Sequence, residues 1–333
     1  MKMKKILLLA TGGTIASKKT VDGLAPQSIP EDLLAFVPEY EKYCSIDTRQ
    51  ILNIDSTNIQ PEDWIGIAAA IQSEYENYDG FVIAHGTDTM AYTAAALSYL
   101  IQQPQKPIVL TGSQKPINAA ITDAKKNLLD SIRFAADPHV KGIYIVFDGK
   151  AIVGTRARKV RSKSFQAFES INYPVAAFID DSRITHYFEE KSGDEETVFW
   201  SKLNPRIFLL KLVPGMEPDV LDYIGEHYDG VVIESYGVGG IPFNKKRNFL
   251  DKLAMMDQKG KVVVIASQVM LEGSDAEVYE VGFRAINHAY VLQAFDMTVE
   301  AAITKLMWIT AETSKIGEIK RKFYTKINHD ILR

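Results

Sequence analysis

Leu7-Leu8-Leu9-Ala10-Thr11-Gly12-Gly13-Thr14-Ile15-Ala16-Ser17 decides how the rest of the chain is read. The apolar run from Ile6 to Ala10 has the composition of a strand buried on both faces, as in a parallel sheet. It ends at two glycines and a threonine. Glycine permits a tight turn and leaves backbone N–H groups open to a ligand. Open α/β sheets collect ligands at the carboxyl ends of their strands, so Thr14 is expected on the floor of a cleft, among amide donors. A hydroxyl in that position suits attack on a carbonyl whose developing oxyanion those donors would hold. The competing reading is a phosphate-binding turn, but neither G-x-G-x-x-G nor G-x-x-x-x-G-K-[ST] occurs here.

Outward from this turn the same pattern recurs. Ile46–Ile54 alternates as a strand and ends in Asp55-Ser56-Thr57. Gly80–Ala84 ends in His85-Gly86-Thr87-Asp88-Thr89, and Pro107–Leu110 leads to Thr111-Gly112-Ser113-Gln114. Helical spacing intervenes, after Gln60-Pro61 through Trp64, Ile67, Ala68 and Ile71, then over Met90–Ile101 and Asp123–Ala135. Strand ends of a parallel sheet share one edge, so four ends bearing small hydroxyl or acidic residues describe a pocket. Ser17–Pro30, with Gly23, Pro26 and Pro30, reads as a loop over that cleft, and Glu31–Phe36 as a short helix.

Strand Gly142–Phe147 and a basic segment, Val153–Lys163, complete the first half. A second run of strands and helices begins at Ile207 and includes Gly230–Glu234, Val262–Ala266 and the helix Met297–Thr310. The fold class is therefore α/β, with two α/β domains. The larger is N-terminal, residues 1–188, with a mostly parallel sheet flanked by helices and the threonine-bearing strand ends. Residues 189–205 form an exposed linker, and 206–333 a smaller parallel-sheet domain.

Bulk properties exclude several classes. Over 333 residues the net charge is -4, with 46% hydrophobic and 24% charged residues, so neither nucleic acid nor an anionic membrane is an expected partner. The Arg156–Lys163 cluster is a weak exception without a nucleic-acid motif. The single cysteine, Cys44, precludes an intrachain disulfide and suits a reducing compartment. Met1-Lys2-Met3-Lys4-Lys5 and the apolar run imitate a signal peptide, yet the run is short and enters the Gly-Gly-Thr turn directly, so the protein is expected in the cytoplasm. No stretch is long enough to span a bilayer. No H-x-x-x-H, C-x-x-C or carboxylate cage is present, so no metal and no cofactor are expected. Taken singly, Thr87-Asp88 reads as a helix cap, Lys159 as a solvated cation and His85 as packing beside a strand end.

Together, Ala10-Thr11-Gly12-Gly13-Thr14-Ile15-Ala16, Asp55-Ser56-Thr57 and Ile83-Ala84-His85-Gly86-Thr87-Asp88-Thr89-Met90-Ala91-Tyr92 resemble the bacterial-type L-asparaginases. Phe168-Glu169-Ser170-Ile171-Asn172-Tyr173-Pro174 and Glu234-Ser235-Tyr236-Gly237 resemble the cytoplasmic type I branch, and the likeness covers nearly the whole chain. The resemblance implies hydrolysis of L-asparagine to L-aspartate and ammonia through a β-aspartyl ester on Thr14. Thr87, Asp88 and Lys159 would form the second catalytic group, the lysine oriented by the aspartate drawing a proton from threonine. Such a lysine needs burial or a neighbouring cation, for which Arg158 and Arg161 are candidates. Asp55, Ser56, Thr57, Thr87, Asp88 and Ser113 would bind substrate. The family also implies a homodimer or homotetramer with sites at subunit interfaces.

Two departures stand out. Many relatives carry a tyrosine in the first loop where this chain has Leu24, so that role is either unneeded here or filled by another residue such as Tyr236 or Tyr187. Some type I relatives bind a second, activating asparagine through a cysteine where this chain has Val269, so that regulation is not expected. The alternatives are an amidase preferring glutamine or acting on glutaminyl-tRNA, and an amino-acid-binding module without turnover. The tRNA-linked relatives carry a further N-terminal domain, while this chain starts at its first strand. A module freed from catalysis would have no need to keep Lys159.

Overall fold

Apolar, β-branched strands alternating with helices build a parallel sheet wherever both faces are covered. The computed structural model describes residues 3–20, 23–26, 29–188, 195–244, 246–275 and 291–332. It divides into two units, Met1–Ser201 and Lys202–Arg333. In the first, β1 (Lys4–Gly12) is followed by a single 3-10 turn at Thr14–Ala16. The segment expected to be a loop is instead a hairpin of β2 (Ser17–Thr20) and β3 (Gly23–Pro26), with Ser17 opposite Pro26 and Lys19 opposite Leu24. Proline closes this two-stranded ribbon at its end, where an N–H is dispensable. Helix α1 (Pro30–Leu34), β4 (Cys44–Ile54), α2 (Pro61–Glu74), β5 (Gly80–Ala84) and α3 (Met90–Leu100) follow. Next come β6 (Ile101–Gln102), β7 (Pro107–Thr111), α4 (Ala124–Ala136) and β8 (Gly142–Phe147).

The main sheet has eight strands. From one edge the order is β4, β1, β5, β7, β8, all parallel. Three antiparallel strands then extend it: β9 (Lys150–Val153), β12 (Ala177–Ile179) and β13 (Ile184–His186). Between β9 and β12 the chain makes a separate antiparallel pair, β10 (Ala157–Lys159) with β11 (Phe168–Ser170). The chain leaves β1 for β4 on one side and returns past β1 to form β5 on the other. The strand order thus reverses between β1 and β5, and in such sheets the crevice for a ligand opens at the carboxyl ends flanking that reversal.

Both faces of the sheet are covered. Ile6, Leu8, Val82, Val109 and Val146 share a buried cluster with Leu128 and Ile132 of α4. The alternate residues Leu9, Ile83, Leu110 and Ile145 are as fully buried on the opposite face. This explains why these strands read as continuous apolar runs rather than alternating ones.

The linker expected over 189–205 departs from the structure in part. Residues 189–194 lie outside the described residues, but Val198–Phe199 forms β14, paired antiparallel with β6. Thr197 Oγ1 lies 3.0 Å from the Tyr75 hydroxyl, fastening this stretch to the first unit.

The second unit holds a four-stranded, all-parallel sheet of β15 (Ile207–Lys211), β16 (Gly230–Ser235), β19 (Val262–Ser267) and β20 (Val291–Gln293). A small hairpin, β17 (Phe243–Asn244) with β18 (Arg247–Asn248), lies between β16 and β19 in the chain. Helices α5 (Val220–His227) and α6 (Leu250–Gln258) cover one face through Leu221, Ile224, Leu253 and Met256. After β20 come α7 (Val299–Glu312) and α8 (Ile316–Tyr324), the latter unread in the sequence. In α7, Lys305 is wholly buried; its Nζ donates to Asp330 Oδ2 at 2.6 Å and to the Thr325 carbonyl at 2.7 Å. Burial holds Lys305 below its ordinary pKa against the pull of Asp330. Among the described residues no helix is long and apolar enough to cross a membrane.

Candidate active site

The site is assembled by backbones that touch. Gly13, at φ +78, packs so closely on Gly86 that a Cβ on it would meet the Gly86 Cα and N at 2.4 Å. A Cβ on Gly86 would in turn meet Ser56 Oγ at 2.6 Å. Only residues without side chains allow β1, β5 and the turn after β4 to approach in this way. Thr14 and Thr87, one residue beyond these glycines, are thereby presented side by side at the reversal of strand order.

Hydrogen bonds fix the three turns. Gly13 N donates to the Ile54 carbonyl at 3.1 Å, and Ser17 Oγ to the Gly13 carbonyl at 2.9 Å. Asp55 Oδ1 accepts from the Thr57 N–H at 2.9 Å and the Thr57 hydroxyl at 2.8 Å. This is a local cap that leaves the Asp55 side chain exposed at the cleft. Ser56 is buried and links turns: its Oγ accepts from Asp88 N at 3.3 Å, and its carbonyl from Thr89 Oγ1 at 2.7 Å.

Lys159 arrives from β10. Its Nζ donates to Thr87 Oγ1 at 2.7 Å and to Asp88 Oδ1 at 2.6 Å. The lysine side chain is 16% exposed and the aspartate 56%, so the pair sits at the mouth of the cleft rather than in the core. Arg161, one candidate for tuning this lysine, is itself paired with Glu169 at 2.9 Å.

His85 is not placed to act as a base. It is fully buried, and burial lowers its pKa to about 4, so it is neutral. Nδ1 faces the Gly86 carbonyl at 2.6 Å, an acceptor, and so carries the proton. Nε2 then accepts from Thr93 Oγ1 at 3.0 Å, while Trp64 Nε1 donates to that hydroxyl at 2.9 Å. The chain of bonds orients the peptide leading into Thr87.

Known proteins match the chain across both units. Residues 5–192 match the model for the N-terminal domain of asparaginase, and residues 206–323 that for the glutaminase/asparaginase C-terminal domain. The L-asparaginase of Thermococcus kodakarensis is 43% identical over 95% of this chain and 96% of its own. The chain belongs to the asparaginase family. The structure of that thermostable enzyme superposes with a TM-score of 0.94 at 42% identity, covering 99% of both chains. The L-asparaginase I of Vibrio cholerae gives 0.89 at 29% identity over 99% of this chain and 100% of its own. One subunit of the glutamyl-tRNA(Gln) amidotransferase of Metallosphaera sedula is 32% identical over 97% of this chain, which spans 76% of that protein. The α/β fold and its hydrolase class follow from the family.

Within this asparaginase fold, Ser56, Thr87, Asp88 and Lys159 are brought together by hydrogen bonds, Asp55 and Thr57 share the Ser56 turn, and Thr14 follows the glycine that abuts Gly86. Ser113 does not join them through its side chain: it is wholly buried, and its hydroxyl donates to the Lys115 carbonyl at 2.5 Å within its own turn. Tyr187 is excluded as a substitute for the loop tyrosine. It follows β13, six strands from β1, which at about 4.8 Å per strand places it roughly 29 Å away. Tyr236 lies in the second unit, at a bridge to Gly240. Of the basic segment, Arg156 is wholly buried, 5.4 Å from the Tyr173 ring, while Arg161 and Lys163 are exposed. Among the described residues no group of three His, Cys, Asp or Glu could hold a metal ion.

Sequence reading passed over Gln114, Asp123 and Asn127. Asp123, its carboxyl pushed up by burial, accepts from Gln114 N at 2.9 Å and from Lys115 N at 3.1 Å. Asn127 Nδ2 donates to the Gly112 carbonyl at 3.0 Å. Together they clamp the turn after β7. The one signal in the sequence was Gln114 itself, a polar residue at a strand end beside the one singled out.

Proposed function

We propose that this asparaginase hydrolyses L-asparagine to L-aspartate and ammonia through an ester on Thr14. The observation that carries the reading is Lys159 Nζ within hydrogen-bond reach of both Thr87 and Asp88, beside the strand end that bears Thr14. The Thr14 hydroxyl attacks the side-chain amide carbon. The C–N bond breaks, and nitrogen leaves as ammonia after taking up the hydroxyl's proton. Water then attacks the ester, its proton returns to the Thr14 oxygen, and aspartate departs. Thr87 and Lys159 relay protons in these steps, with Asp88 holding the amine. Asp55 and Asp88 supply negative charge for the substrate's ammonium, while the amides and hydroxyls around Ser56 and Thr57 meet its carboxylate.

With this reading go a cytoplasmic location and a homodimer or homotetramer with sites at subunit interfaces. Ile6–Ala10 is an interior strand of the fold, paired on both sides, and Cys44 is a buried free thiol, which supports the location. The likeness to an amidotransferase supports a second reading, an amidase acting on glutamine. Ammonia release from L-asparagine and L-glutamine, measured separately for wild type and Thr14→Ala, tests both. Release from asparagine that falls at least about 10³-fold in the variant is expected. Preferential release from glutamine selects the second reading, and undiminished release by Thr14→Ala removes this nucleophile.

A further inference from the structure

Gln114 makes three side-chain contacts that together leave its amide one orientation. Nε2 donates to the Arg161 carbonyl at 3.2 Å and to the Ser164 carbonyl at 3.1 Å. Reversing the amide would set its oxygen against two carbonyl oxygens, so Oε1 must be the atom that faces Thr87 Oγ1, 3.4 Å away. Its backbone is equally constrained, because Gln114 N is held by both oxygens of Asp123 at 3.1 and 2.9 Å. The Thr87 contact is long, as catalytic hydrogen bonds are before substrate draws the groups together.

The polarity of this contact matters. An amide oxygen only accepts, so Thr87 is the donor to Gln114, and its lone pairs remain for an N–H of Lys159. The protons therefore run from Lys159 to Thr87 to Gln114. For Lys159 to draw the Thr87 proton, the first bond must reverse: the amine first loses a proton, then its lone pair accepts from the Thr87 hydroxyl. We infer that Gln114 is a positioning residue whose Oε1 holds the Thr87 proton away from Lys159 and so sets the direction of the Lys159–Thr87 hydrogen bond. Acting through Thr87, it sets how readily that bond reverses, which is read as the pH at which the pair becomes competent. This rests on the proposed role of Lys159 as base. The charged groups that face that amine or its partners are Asp88 at its tip, Arg161 just past β10 paired with Glu169 of β11, and Asp123 behind the Gln114 amide, while Arg158, its neighbour in β10, belongs to the opposite face of that strand.

Two variants separate this role from mere support of the turn. Gln114→Met and Gln114→Glu both delete the donors to the Arg161 and Ser164 carbonyls, so loss of support alone moves both the same way or moves neither profile. Gln114→Met also deletes the acceptor for Thr87, and the acid limb of the kcat/KM profile is expected to shift down by about 0.5–1 pH unit. Gln114→Glu keeps an acceptor and adds negative charge, and the limb is expected to shift up by a similar amount. Titration of Lys159 in protein labelled at lysine Cε with carbon-13, followed by NMR, reads the same quantity without turnover. In a Thr87→Val background, Gln114→Met should shift that titration no further. If Gln114→Met does not fold, Gln114→Glu is compared with and without Thr87→Val: an upward shift that vanishes without the Thr87 hydroxyl supports the inference, and one that persists is direct charge and overturns it. Shifts of one sign in both variants, or none, overturn the inference. Failure of the enzymatic reading is seen separately, as asparagine turnover that survives Thr14→Ala.

Discussion

The two units use the same materials to different ends. Each has a parallel sheet with apolar strands and covering helices. In the first unit the parallel strands run in the spatial order β4, β1, β5, β7, β8, reversing at β1; in the second, β15, β16, β19 and β20 follow sequence order. A reversal splays the two chain paths apart at the carboxyl edge and opens a crevice, and an unbroken order supplies none. The glycines follow the same division. Gly13 and Gly86 pack against each other and against Ser56 at the reversal, whereas the tightest glycine of the second unit, Gly273, packs against the Phe295 carbonyl with no reversal of strand order beside it. Topology makes the crevice, and the absence of side chains lets three strand ends close around it.

If that division is right, lesions in the second unit should cost stability and lesions at the reversal should cost chemistry. Asp330→Asn strands the buried Lys305 ammonium, and about 3–5 kcal/mol of stability should be lost. A urea titration should show the lowered midpoint while kcat of the folded fraction stays within about twofold; a tenfold fall in kcat would break the comparison.

His85 sharpens it through pH. Its native pKa of about 4 lies below the ordinary 6.5, so as pH falls the unfolded chain takes up the proton before the native one does. The contribution is complete above 6.5 and is lost as pH falls towards 4, for a loss of about 3 kcal/mol. Unfolding free energies at pH 7 and pH 4 should therefore differ by that much more in wild type than in His85→Gln. Equal differences would mean that His85 takes up a proton in the native state.

Alanine at two glycines gives the smallest and most directly opposed effects. Gly86→Ala forces a Cβ into Ser56 and should cost about 1–3 kcal/mol with at least a tenfold loss in kcat/KM. Gly317→Ala in α8 meets nothing within 4 Å and should add about 0.5–1 kcal/mol with unchanged kinetics. Thermal melts and steady-state assays of the pair would decide.

Much of this was legible in the chain. Strands buried on both faces announce themselves as unbroken apolar runs, so β1, β5, β7, β8, β16 and β19 could be read to within a residue or two. Thr14, Thr87 and Asp88 were visible because each follows such a run at a glycine turn. Lys159 was not visible from its surroundings, since β10 is three residues long and its meaning depends on Thr87, 72 positions away. The resemblance, rather than periodicity, marked it. The hairpin β2–β3 was missed because polar residues with glycine and proline fit a loop as well as a short ribbon. Ser113 was chosen over Gln114 because a strand-end hydroxyl looks like chemistry, whereas the reach of a glutamine across to two other segments is a property of the folded turn.

Inserting β4 and β5 on either side of β1 also has a cost during synthesis. β1 leaves the ribosome before both of the strands that flank it, and Ile6–Ala10 keeps one edge open until β5 has emerged at Ala84. At about 5–20 residues per second that interval is roughly 4–15 s. Through it the nascent chain presents an apolar strand with one open edge, so a growing chain of this protein should be a client for chaperones that bind extended apolar segments.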